Sequence, residues 1–313
     1  MRGRNTMAQN DDVLLTNKSE FMLSQLQPWS FQIKPGFRVR GWRTQWTGKP
    51  LIFFLHGNGF CALTYMPMLN ALRDEFDLLL MDLPGHGESD VGSPFKPWNG
   101  SAKCAADVLQ HFLPQLPQGT PVYGVGHSYG GVLTALMAGK HRDLFQKCVL
   151  LDPVLFTPKM LKLMKAADWV GLLESTKLAK TARKRNQHWD SHEAAYAALN
   201  GKGGFKGWRE DALQAYVEHA IGESPFGVSL KCPSKIEAKI FGSYPKGLWH
   251  YVDNVQVPMQ IMVASRSFPF ISESAKALEG HRYISHVTVE GGHCFMQEVP
   301  EFAAGKIKEW LLQ

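Results

Sequence analysis

One serine stands inside the stretch GVGHSYGG, residues 124 to 131, with Gly126 two positions before Ser128 and Gly130 two positions after it. The apolar run PVYGV precedes it and VLTALMAG follows, so Ser128 falls where a strand gives way to a helix. On so sharp a turn the hydroxyl projects outward, and the flanking glycines let neighbouring elements approach closely. The helix that starts there offers unpaired backbone N–H groups and the positive end of its dipole. Those are the ingredients of nucleophilic attack on a carbonyl. A tight turn that merely contains a serine accounts for the same residues, so the rest of the chain has to decide.

A nucleophilic serine needs a base within about 3 Å of its hydroxyl, and N–H donors aimed at the oxyanion that develops. Four histidines stand near glycines in promising places. His56 closes KPLIFFLHGNG, His86 lies in DLPGHGESD, His127 is the neighbour of Ser128, and His293 ends VTVEGGH. Cys294 follows His293, but nothing in the sequence around it resembles an activating site for a thiolate.

The elements that must position these residues alternate. FRVRGWRTQW, LIFFL, FDLLLMD, PVYGVGHS and KCVLLD read as strands, and YMPMLNALRDE, SAKCAADVLQHFLPQL and YGGVLTALMAGK as the helices among them, with Ser101 a plausible N-cap. Such alternation implies a mostly parallel sheet covered on both faces. From Thr157 to about Tyr251 the pattern changes to helices without a buried-strand run. It then resumes with PMQIMVAS, ISESAKALEG, YISHVTVEGGH and a final amphipathic helix. In an open parallel sheet ligands bind beyond the carboxyl ends of the strands, and HGNGF, GHSYGG and GGHCF all fall at such ends.

Composition narrows the function classes. The chain has 313 residues, 44% hydrophobic and 20% charged, as expected of an ordinary globular protein. No apolar stretch reaches the ~20 residues of a membrane helix, and the start MRGRNTMAQNDD lacks a secretory apolar run, so the expectation is a cytoplasmic protein without an integral membrane segment. Five scattered cysteines without a CxxC pair give no zinc site or disulfide framework. The net charge of +6 is mild, and its densest run, Lys177 to Trp189, reads as a solvated helix face or a contact for an anionic substrate tail or acidic membrane surface. No nucleic-acid motif accompanies it. The oligomeric state cannot be read from the sequence.

The GHSYG elbow, the HG that ends an earlier strand, the GGH that ends a later one and the loop DLPGHGESD together resemble the α/β-hydrolase superfamily over nearly the whole chain. The resemblance implies an α/β fold with a mostly parallel eight-stranded sheet and helices on both faces. Residues 1–156 and 252–313 would form the core, and 157–251 an inserted helical cap over the active site. In the cap stretch MLKLMKAADWVGLLESTKL, Met160, Met164, Trp169 and Leu172 are expected to form the cap's own core and its contact with the main domain, a minority lining a pocket. The same resemblance makes Ser128 the nucleophile and His293 the general base, with oxyanion donors from the backbone N–H groups of Tyr129 and Asn58, Gly59 being next after Asn58. His56, His86 and His127 are then loop-shaping residues.

The acid departs from the pattern. After MQIMVAS, where such proteins usually carry Asp or Glu, stand Arg266, Ser267 and Phe268. Asp152 at the end of KCVLLD could reach the imidazole from a neighbouring strand, Glu273 lies a few residues past the usual site, or no carboxylate takes part. An Asp before a Pro also serves simply to turn a chain. The function implied is a serine hydrolase without metal or organic cofactor. It is expected to be a carboxylesterase on small to medium hydrophobic esters, with thioester or C–C bond hydrolysis as alternatives. Family members that open epoxides or displace halides carry Asp at the elbow. A non-catalytic receptor with a degraded triad is the competitor from another class.

Overall fold

The computed structural model describes residues 24–33 and 36–313. The polar start MRGRNTMAQNDD lies outside the described residues. The strands are β1 (Gln27–Ile33), β2 (Phe37–Arg43), β3 (Leu51–Leu55), β4 (Asp77–Met81), β5 (Val122–His127), β6 (Lys147–Leu151), β7 (His188–Trp189), β8 (Ile221–Ser224), β9 (Gly227–Leu230), β10 (Met259–Arg266) and β11 (Ile284–Gly292). Eight of them form one sheet in the order β1-β2-β4-β3-β5-β6-β10-β11. Only the pairs β1–β2 and β2–β4 are antiparallel, so β2 alone runs against the others.

The central strands LIFFL, DLLLM and VYGVGH are buried along their whole length, because helices cover both faces of the sheet there. The helices Asn99–Phe112 and Tyr129–Lys140 join one apolar layer, and Met66–Asn70 and Pro300–Leu311 the other. The topology brings five strand ends to one edge of the sheet. His56 follows β3, Asp82 follows β4, Ser128 follows β5, Asp152 follows β6 and His293 follows β11, all at carboxyl ends.

The segment between β6 and β10 differs from the all-helical reading. It contains the helices Pro158–Trp169, Lys177–Arg183, His192–Leu199, Glu210–Ala220 and Ser234–Phe241, but also an antiparallel sheet in the order β7-β9-β8. Each of those strands has four residues or fewer, too short for an alternation to stand out. The hairpin depends on Gly227 at φ +97, where a Cβ would lie 2.3 Å from the Trp189 carbonyl oxygen. Trp169 and Leu172, expected inside this segment, are exposed, whereas Met160 and Met164 are half-buried. Ser101 is no N-cap either: the helix begins at Asn99 behind Trp98, and Ser101 is buried within its first turn.

Helix Leu248–Asp253 straddles the expected boundary at residue 251 and packs on Tyr129–Lys140. The approach is close enough that a Cβ on Gly139 would sit 1.9 Å from the Tyr251 carbonyl oxygen. Gly305, in the helix Pro300–Leu311, faces open space. Helix propensity alone would make Gly→Ala stabilising by up to about 1 kcal/mol at both positions. We expect Gly305→Ala to gain about that much, and Gly139→Ala to lose about 2 kcal/mol or more through backbone displacement. Urea unfolding checks the pair: a gain at both sites would contradict the packing described.

Candidate active site

Ser128 caps β5 with φ 52 and ψ −111, a conformation that non-glycine residues rarely adopt. Its N–H donates to the Leu151 carbonyl at 2.9 Å, and its own carbonyl accepts from Val132 at 3.2 Å, fixing the turn between strand and helix. The glycines supply room. A Cβ on Gly126 would lie 2.4 Å from the Gly130 carbonyl oxygen, and one on Gly130 would lie 2.2 Å from that of Leu55. Among the described residues the other non-glycine positions with positive φ are Trp98 and Asp152. Asp152 is itself a candidate, and Trp98 packs its ring edge-on against Tyr129 at 4.8 Å. Backbone strain is concentrated around one place.

The side chains of Ser128, His293 and Asp152 form a file. His293 Nε2 lies 2.9 Å from Ser128 Oγ, and His293 Nδ1 lies 2.5 Å from Asp152 Oδ2. Asp152 is fully buried, and three other groups hold it. Its N–H donates to the Met262 carbonyl at 2.8 Å, its Oδ1 accepts from Ala264 N–H at 2.9 Å, and its Oδ2 accepts from the Ser267 hydroxyl. The strand end that lacks a carboxylate therefore supplies donors to a carboxylate on β6. Ala264 is free to donate because β6 stops pairing with β10 at Met262, and β10 shifts register against β11 between Ala264 and Arg266.

Arg266 turns to Glu290 and Glu298, at 2.5 Å and 3.0 Å. Glu273 is exposed on the helix Pro269–Lys276, away from this file. Burial first, and then the charge of Asp152, pushes the Cys294 thiol up to about 12, which keeps it protonated.

The donors of the HGNGF loop are divided up by its neighbours. Gly57 N–H donates to the Tyr65 hydroxyl at 3.0 Å, and Gly59 N–H donates to His86 Nε2 at 3.1 Å, with Asn58 between them. The Asn58 amide donates to the Glu237 carbonyl at 3.2 Å, tying this loop to the inserted segment. The Tyr129 N–H opens the helix behind Ser128, while its ring is buried and its hydroxyl accepts from Trp98 N–H at 3.2 Å. Of the basic run, Arg185 points inward, to Glu237 at 2.9 Å and to the Tyr216 hydroxyl at 2.5 Å, so it is not available to an anionic tail.

Tyr65 is a residue that sequence reasoning passed over. Because its hydroxyl accepts from Gly57, its proton goes to His127 Nδ1 at 2.6 Å, and His127 Nε2–H donates to the His293 carbonyl at 2.9 Å. One chain of hydrogen bonds thus joins the HGNGF loop, the elbow and the His293 loop. The sequence signal was weak, a tyrosine in a short turn with no motif of its own. His56 likewise accepts from Leu83 N–H at 2.9 Å and pairs through Nδ1–H with the Gly57 carbonyl at 2.8 Å. His56 and His86 each use both ring nitrogens on backbone groups, His127 bonds the Tyr65 hydroxyl and the His293 carbonyl, and none of the three bonds Ser128 Oγ.

These contacts require neutral rings, since a second ring proton on His56 or His86 would face a backbone N–H. Burial lowers the pKa of all three, that of His86 to about 4. A depressed base binds fewer protons folded than unfolded, so stability is full above the ordinary histidine value, ~6.5, and is lost as pH falls from there toward 4. Burial raises Asp82 to about 6 and raises Glu237 too, which act in the opposite sense, while buried His219, lowered to about 4, adds to the three histidines. We expect the urea midpoint to fall between pH 6.5 and 4, each histidine adding up to about 1.4 kcal/mol per pH unit, and His86→Gln to flatten the slope. A midpoint constant across that interval would contradict the neutral-ring assignment.

Comparison with known proteins agrees with this architecture. The model of the alpha/beta hydrolase family matches residues 52–305. Mouse monoglyceride lipase is 31% identical over 133 residues, 40% of this chain and 42% of that protein. The 2-(acetamidomethylene)succinate hydrolase of Mesorhizobium japonicum is 34% identical over 110 residues, 35% and 36% of the two chains. A type I acyl-CoA thioesterase of Penicillium brevicompactum is 30% identical over 111 residues, 32% and 25%. The matches thus span between a quarter and about two fifths of these curated relatives. Among solved structures, E-2-(acetamidomethylene)succinate hydrolase superposes with a TM-score of 0.71 at 20% identity, over 92% of this chain and all of that one. The peroxisomal hydrolase Lpx1 of Saccharomyces cerevisiae gives 0.71 at 16% identity, over 91% and 86%. With a family model matched over most of its length, the chain belongs to the alpha/beta hydrolase family.

Proposed function

We propose that this protein is a serine hydrolase, a carboxylesterase acting on small to medium hydrophobic esters through an acyl-enzyme on Ser128. The observation that carries the reading is the unbroken file from Ser128 Oγ through both nitrogens of His293 to Asp152. In this mechanism His293 Nε2 takes the hydroxyl proton as Ser128 Oγ attacks the ester carbonyl. The backbone N–H groups of Tyr129 and Asn58 hold the oxyanion. Collapse breaks the C–O bond to the alcohol, which leaves with the proton from His293. Water, deprotonated by His293, then attacks the acyl carbonyl and releases the carboxylic acid and free Ser128.

Asp152 keeps Nδ1–H directed toward itself, leaves Nε2 as the acceptor, and stabilises the imidazolium that forms in each half-reaction. Its full burial and its bonds from Ala264 and Ser267 suit that task, because a carboxylate held this way cannot swing away. The segment 157–251 acts as the cap in this reading. Trp208 and Tyr216 pack on Phe60 of the HGNGF loop at 5.5 Å and 5.8 Å, so it touches the oxyanion side of the site. The receptor reading rests on a missing acid, and the position of Asp152 beside His293 weighs against it. A thioester is the second substrate class, favoured by the likeness to a protein named acyl-CoA thioesterase.

Hydrolysis of p-nitrophenyl esters of increasing acyl length, beside the matching thioesters, tests the assignment. We expect Ser128→Ala to lose turnover. Asp152→Asn should lower kcat by about 10³ to 10⁴ with KM nearly unchanged, since the acid acts on the imidazole and not on substrate binding. Glu273→Gln should match wild type. Wild-type kcat in Asp152→Asn would remove that residue from the mechanism.

A further inference from the structure

We propose that the outer face of the inserted segment, the helix Pro158–Trp169 with the chain that follows it to Lys184, docks on an anionic lipid surface. The helix has no buried residue. Its half-buried Met160, Leu161, Met164 and Ala167 face the protein, and Lys159, Lys162, Leu163, Lys165 and Trp169 are exposed. Trp169 is 88% exposed, Leu163 63% and Leu172 61%, with Val170 and Leu178 beside them. A lone exposed leucine needs no explanation, but five large apolar side chains within sixteen residues do.

The charges around them choose the partner. Residues 158–184 carry seven Lys or Arg against Asp168 and Glu174, an excess of five positive charges in a chain whose net charge is +6. Lys159, Lys162, Lys165, Lys177, Lys180 and Lys184 are exposed, and among the described residues none of them is in an ion pair. Lysines interleaved with Trp and Leu match an interface in which apolar tips enter the acyl boundary while the ammonium groups stay among phosphates. A second copy of the chain fits worse, since a two-fold contact through this face would set one cluster of lysines against the other. No described helix is long and apolar enough to cross a membrane, so the contact would lie in the surface plane.

Co-sedimentation with vesicles tests this, using equal parts phosphatidylcholine and phosphatidylglycerol against phosphatidylcholine alone. The wild type should bind the anionic vesicles, more weakly as salt rises. Lys159→Glu/Lys162→Glu/Lys165→Glu should weaken binding about a hundredfold, and Leu163→Asp/Trp169→Asp should lose it. Circular dichroism and thermal unfolding should show both variants folded as wild type, since the substituted side chains are exposed. No binding to anionic vesicles would overturn the proposal, as would unchanged binding by Leu163→Asp/Trp169→Asp. A lipid-free dimer that Leu163→Asp/Trp169→Asp dissolves would overturn it in favour of self-association.

Discussion

The backbone of Ser128 is the constraint on which the rest of the site depends. A serine held at φ 52 and ψ −111 carries strain on the order of 1–3 kcal/mol, and the chain keeps it only because its surroundings leave no alternative. Strand β5 lies between β3 and β6, its last residue passes directly into a helix, and the Ser128 N–H is already committed to β6. Gly126 and Gly130 are glycine because strand, helix and the end of β3 meet there at backbone contact. Relaxing Ser128 would mean separating elements that bury the largest apolar layers of the molecule.

Around that fixed point the polar groups are shared out so that each loop holds another. Asp152 is anchored by β10, Tyr65 connects the HGNGF loop to His127, and His127 in turn holds the carbonyl of His293. Buried neutral histidines suit such a scaffold, since each offers one donor and one acceptor to neighbouring polar groups that otherwise would be unpaired. The same sharing separates the four histidines by chemistry. Three are consumed in holding loops together, and His293 alone of them faces the serine hydroxyl.

The sheet and the site were legible to different depths. Continuous runs such as LIFFL and DLLLM announce buried parallel strands, and GHSYGG announces its turn, because both signals are local. Sequence left Asp152, Glu273 and no acid open, because reach across neighbouring strands depends on where β6 stops pairing and β10 shifts register. Ser267 drew attention only as the residue standing in for an acid, whereas its hydroxyl bonds one. The inserted segment was the least legible. Its two- to four-residue strands carry too little pattern, and the exposure of Trp169 opposes the usual reading of tryptophan as core.

Intact-mass labelling with a fluorophosphonate, followed by peptide mapping, tests directly whether Ser128 is an activated nucleophile. Such a probe reacts with a serine whose hydroxyl is deprotonated by a neighbouring base and whose oxyanion is stabilised. One adduct per chain is expected, located on Ser128, forming rapidly in wild type and slowly when His293 is replaced by alanine. An unlabelled wild type, or an adduct on another residue, would contradict an activated Ser128.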